Sequence, residues 1–98
     1  MFRHVVLLRW KPEATAAERF AVQANLADLP GRIPEIRNYE IGADAHVNHG
    51  NFDLVVVADF DDVDDYLVYR DHPDHKRVVA DLIVPNIAER TAVQFDMG

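Results

Sequence analysis

Hydrophobic and polar positions in this chain change period several times, and each change predicts an element. From Phe2 to Trp10 the period is two. Phe2, His4, Val6, Leu8 and Trp10 fall on one side of a strand, and Arg3, Val5, Leu7 and Arg9 on the other. Both sides are apolar in the middle, which predicts cover on both. Thr15 followed by Glu18 is a capping box, and it predicts a helix running to about Leu29. Val22, Leu26 and Leu29 make a stripe at i, i+4 and i+7. That stripe carries more apolar area than the opposite one of Phe20, Ala24 and Ala27, so it is the expected core face. Phe20 is then left exposed or against another chain.

The run Leu29-Pro30-Gly31-Arg32-Ile33-Pro34 stops the helix and turns the chain. Ile36 to Gly42 predicts a second strand, and the polar stretch Ala43 to Asn51 a loop. Phe52 to Phe60, with Leu54 to Ala58 continuously apolar, predicts a strand buried on both faces. Asp61 and Asp62 are caps for a following helix, whose first turn suits the acidic run to Asp65. Val63, Tyr66 and Leu67 are expected inward, with Tyr69 near Tyr66. Pro73 fits the first turn of a further helix to Leu82. There His75, Val78, Val79 and Leu82 share one apolar stripe, and His72 sits at the cap. Pro85 bends or ends this helix, and Arg90 to Asp96 predicts the last strand, with Thr91, Val93 and Phe95 on one face.

The order β-α-β-β-α-(α)-β predicts an α+β fold. It is a ferredoxin-like sandwich, a four-stranded antiparallel sheet with helices on one face, in a single domain over residues 1–98. The helices leave Val5, Leu7, Val55 and Val57 on the other face. An apolar face of that size is rarely left wet. A two-fold homodimer packed through those residues is the expected remedy.

Composition narrows the partners. The net charge of −7 argues against nucleic acid and anionic membrane surfaces. No apolar run is long enough to span a membrane, and no leader-like start is visible, so a cytoplasmic location is expected. The chain has no cysteine, hence no thiolate nucleophile or thiolate metal site. His72-x-x-His75 and His46-x-x-His49 have metal-like spacing but lack a third ligand nearby, so no metal is expected. The sequence has no phosphate-cradling glycine loop, nucleophile elbow or dinucleotide fingerprint, and no cofactor is expected.

The candidate chemistry lies between the first strand and the last helices. His4 on the helix-facing side of its strand and His75 on its stripe would meet there, with Tyr69 close by. An imidazole titrating near neutrality can take and return a proton. This predicts a proton-transfer site with His75 as general base, His4 assisting and Tyr69 polarising a carbonyl or holding His75. Val6 and Trp10 on the His4 face, with Leu82 on the His75 stripe, are the expected ligand-lining residues. Two plainer readings stay open. The three polar side chains could fill a small polar hole, or they could bind a ligand without chemistry.

Four segments together resemble the stress-responsive dimeric α/β-barrel, or Dabb, family. They are Arg3-His4-Val5-Val6-Leu7-Leu8, the Leu29–Pro34 turn, Asn48-His49-Gly50 before the Phe52 strand, and Tyr69-x-x-His72-Pro73-x-His75. The resemblance covers essentially the whole chain. It implies a ferredoxin-like protomer whose sheets pair into a barrel across a dimer, and it assigns no single function. One branch, the plant polyketide cyclases, closes a polyketide by aldol condensation without a cofactor. Its catalytic histidines match His4 and His75, and its tyrosine matches Tyr69. The resemblance therefore implies three possible roles: binding a small apolar molecule near these residues, acting as a cofactor-free cyclase or isomerase, or serving as a structural stress protein without ligand.

Overall fold

In the computed structural model, which describes all 98 residues, the first strand becomes the middle of a sheet. The strands are β1 (Phe2–Trp10), β2 (Asn38–Ala43), β3 (Leu54–Phe60) and β4 (Ile87–Asp96). They lie in the order β2-β3-β1-β4, every neighbouring pair antiparallel. The helices are α1 (Ala16–Ala27), α2 (Val63–Asp71) and α3 (Pro73–Val78). This is the ferredoxin-like α+β sandwich that the element order predicts, and its sheet is open at both edges.

Local chemistry explains the element ends. The Thr15 hydroxyl accepts from the Glu18 amide and the Glu18 carboxylate accepts from the Thr15 amide, so the capping box forms. Asp62 caps α2 by accepting from the Asp65 amide. His72 caps α3, its Nδ1 accepting from the Asp74 amide. Val22, Leu26 and Leu29 are buried and Phe20 is 70% exposed, so the chosen stripe faces the core.

Besides β4 beginning at Ile87 rather than at the expected Arg90, three details depart from expectation. Strands β2 and β3 each begin two residues late, because Ile36 bonds back to the Ile33 carbonyl and Asp53 spends its carboxylate on the Trp10 amide. Val63 is half-exposed rather than inward, since it opens the first turn of α2 beyond the edge of the core. The third departure concerns the last helix. It is α-helical only to Val78 and then continues as a π turn over Val79–Ile83, with the Val84 amide bonded to the Val79 carbonyl. A π turn advances less than the α-helix's roughly 100° per residue. The register therefore slips, and Ile83 takes the buried place that the stripe assigns to Leu82, which is only half-buried.

The sheet register decides which residues share a face. On the helix side one row runs Tyr39, Ala58, His4, Gln94. Behind it Val6, Leu8, Val56 and Phe60 join the helices in the core. On the other side Val5, Leu7, Val55 and Val57 are half-buried, and Val93 of β4 is 65% exposed. No element covers them. Asp59 lies on that open face yet is buried, held by Arg3 at 2.7 and 2.8 Å and by Asn38 at 3.3 Å. The Arg3 guanidinium holds the Asp59 carboxyl below the usual carboxylate range.

Candidate functional site

Two histidines approach one space from two layers, and each is oriented by a different neighbour. His4 is buried on β1, and its Nδ1 lies 2.9 Å from Gln94 Nε2 on the adjacent β4. An amide nitrogen can only donate, so His4 Nδ1 accepts and the ring proton sits on Nε2. His75 stands in the first turn of α3, and its Nδ1 lies 3.0 Å from the Arg70 carbonyl at the end of α2. A carbonyl can only accept, so His75 carries its proton on Nδ1 and its Nε2 lone pair is free. The two rings hold opposite tautomers.

The free nitrogens are not sealed in. Neither Nε2 has a hydrogen-bond partner within the protein, and no buried side-chain polar atom is left unpartnered. Both are therefore accessible, and both histidines line one cavity between sheet and helices, of about 590 Å³. Its apolar walls include Val6, Leu8, Val56, Val79 and Ile83.

An aromatic cluster braces the rings. The Tyr69 ring lies 4.2 Å from the His75 ring, centroid to centroid, and the Tyr66 ring 4.8 Å from that of His4. The Tyr69 hydroxyl meets the Tyr39 hydroxyl at 3.0 Å. Burial pushes the Tyr69 phenol up to about 12, and Tyr39 is pushed up further by burial and by its neighbour, so both stay protonated. Burial also pulls His4 down to about 4, with the charges of Arg90 and His75 adding to the effect. His75 is lowered as well, chiefly by burial and against the opposing Arg70 carbonyl bond. Near neutral pH the site therefore presents one imidazole N–H donor and one imidazole acceptor, both uncharged.

The structure brings together the three polar residues expected from sequence, along with Val6. Trp10 is buried in the core at the end of β1, and Leu82 is displaced by the π turn, so neither lines the cavity. Tyr69 holds His75 by ring contact rather than by a hydrogen bond. Gln94, Tyr39 and Arg90 are site residues that sequence reasoning missed. Gln94 and Arg90 carry one available signal, since they alternate with Thr91, Val93 and Phe95 and so share the opposite face. His72 and His75 point their Nδ1 atoms at different backbone groups, and no three His, Asp or Glu side chains converge as a metal site would require.

Known structures share this arrangement of elements. A dimeric ferredoxin-like protein of unknown function from Thermobifida fusca is 44% identical, with a TM-score of 0.90 over 98% of this chain and 90% of its own. A Dabb family protein from Mesorhizobium loti is 21% identical, with a TM-score of 0.82 over 99% and 97%. The hydroxynitrile lyase of Passiflora edulis is 18% identical, with a TM-score of 0.87 over 99% and 93%. The last two likenesses show the fold alone. No curated protein matches the chain. The model of the stress responsive A/B barrel domain matches residues 2–97, and the chain belongs to that family, Dabb.

Proposed function

We propose that this protein is a homodimer that binds a small, largely apolar molecule in the cavity bordered by His4, Tyr69 and His75. One observation carries the reading: each imidazole spends one nitrogen on the protein and leaves the other open to an apolar cavity. A structural polar hole would consume both. The cavity falls within the roughly 300–1,000 Å³ typical of small-molecule sites, and its polar groups are few and convergent. Val5, Leu7, Val55 and Val57 supply the dimer face, consistent with the dimeric relatives of the same fold.

The binding test is an NMR titration of the full chain with 2-acetonaphthone, a neutral aromatic ketone. Binding should shift the imidazole resonances of His4 and His75 and leave His46 and His49 in the polar loop unmoved. Absence of any shift at millimolar ketone would defeat the reading.

The opposite tautomers favour a second reading, a cofactor-free lyase, cyclase or isomerase. His75 Nε2 would take a proton from a carbon or hydroxyl, and His4 Nε2–H would donate to the carbonyl oxygen as charge develops. The same fold occurs in a hydroxynitrile lyase, that of Passiflora edulis. Turnover of an enolisable ketone should fall at least a hundredfold in His75→Gln while ketone binding persists. Unchanged turnover in that variant would remove the catalytic assignment.

A further inference from the structure

The charges around the cavity run against those of the chain. The protein carries a net charge of −7, yet no Asp or Glu lines this space, while Arg70, Lys76 and Arg90 all do. Arg70 is already committed, bonded to Asp71 at 2.9 and 3.1 Å. Arg3, Arg9, Arg37 and Arg77 each bond a carboxylate, Arg19 bonds backbone carbonyls, and Arg32 lies 3.9 Å from Asp74. Among the arginines only Arg90 has neither a hydrogen bond nor an ion pair.

Its placement makes that vacancy informative. Arg90 pairs with Leu8 across the β1–β4 ladder, so its side chain leaves the sheet on the same face as His4 and Gln94. It lines the cavity together with His4, Tyr69 and His75. A guanidinium offers five donors in a fixed planar fork that matches a carboxylate. We propose that the cavity takes an amphipathic monocarboxylate, its apolar body between Val6, Val56 and Ile83 and its carboxylate on the Arg90 guanidinium. This deepens the ligand-binding reading and rests on it. The uncompensated positive charge also acts on His4, Tyr69 and His75, whose protonation it shifts downward, as a group facing the same space should.

The test compares 2-naphthoate with 2-acetonaphthone, a neutral analogue of similar shape, by isothermal titration calorimetry on the full chain at pH 7. Naphthoate should bind about tenfold tighter or better, as a charge-assisted bidentate contact implies. Arg90→Gln should erase that preference by weakening naphthoate about tenfold more than the ketone, and Arg90→Lys should keep part of it. Arg90 is exposed and unpartnered, so both variants should fold with an unshifted thermal midpoint. Naphthoate should also raise the His4 pKa measured by NMR, whereas the ketone should not. Equal affinity of the two probes in the parent chain, or a preference that survives Arg90→Gln, overturns the assignment of a carboxylate head and leaves the cavity reading standing. Failure of both probes to bind overturns the two readings together.

Discussion

His4 makes folding stability depend on pH in a window that can be separated from the carboxylates. Its folded pKa is held down to about 4, while a histidine in the unfolded chain titrates near 6.5. The unfolded chain therefore binds more protons between those values, and stability rises with pH across them. The contribution is complete above about pH 6.5 and is lost as pH falls toward 4. Between pH 7 and pH 5 the two binding curves differ by about 2 kcal/mol at 25 °C. His75, also lowered, acts in the same sense. Relief of self-repulsion in a chain of net charge −7 acts in the opposite sense, so the raw pH profile mixes effects. The variant His4→Asn separates them. It keeps an acceptor for Gln94, does not titrate, and pays a pH-independent packing penalty. Urea unfolding at one fixed protein concentration should show the parent losing about 2 kcal/mol more than the variant between pH 7 and pH 5. Equal losses in the two proteins would mean that His4 is not held neutral, and the tautomer argument for the cavity would fall with it.

Three further outcomes follow from other contacts. Val5→Asp puts two carboxylates into one isologous interface, so light scattering at micromolar concentration should find a monomer, and a persisting dimer would place the interface elsewhere. Tyr69→Phe strips the Tyr39 hydroxyl of its 3.0 Å partner and should cost about 1–2 kcal/mol, whereas adding Tyr39→Phe should cost little more; strictly additive losses would show that the two hydroxyls do not act as a pair. Thr15→Ala should cost about 1 kcal/mol in the same unfolding assay through loss of the α1 cap, and an unchanged midpoint would deny the capping box any role.

Most of the fold is legible in the residues because local rules and tertiary packing agree. The alternation of β1, the Thr15–Glu18 box and the Val22–Leu26 stripe each specify an element that the core then buries. The errors occur where one rule is silent. An α-helical stripe places Leu82 beside His75, and nothing local in Val79 to Ile83 announces a π turn, so the substitution of Ile83 appears only in three dimensions. The partners of the site were hidden for a related reason. Gln94 is ninety residues from His4 in sequence, and only the β1–β4 register sets them side by side. The residue types at the centre of the candidate site could be read in advance, but their protonation pattern could not.

That pattern restricts what the cavity can accept. His4 is fixed by the sheet and offers a donor, whereas His75 is fixed by the α2–α3 junction and offers an acceptor. A ligand reaching both must accept at one layer and donate at the other. A plain hydrocarbon satisfies neither, and leaves two accessible imidazole nitrogens to be dried at a cost. A neutral ligand with acceptors alone satisfies His4 and needs His75 to gain a proton, which burial and the Arg90 charge both oppose, whereas a carboxylate seated on Arg90 removes the second obstacle. The groups that fit carry an oxygen acceptor beside an O–H or an acidified C–H, as hydroxy acids and enolisable carbonyls do. Because the two anchors belong to different layers, such a ligand would bridge sheet and helices. By mass action it should then stabilise the fold in proportion to the logarithm of its excess over its dissociation constant.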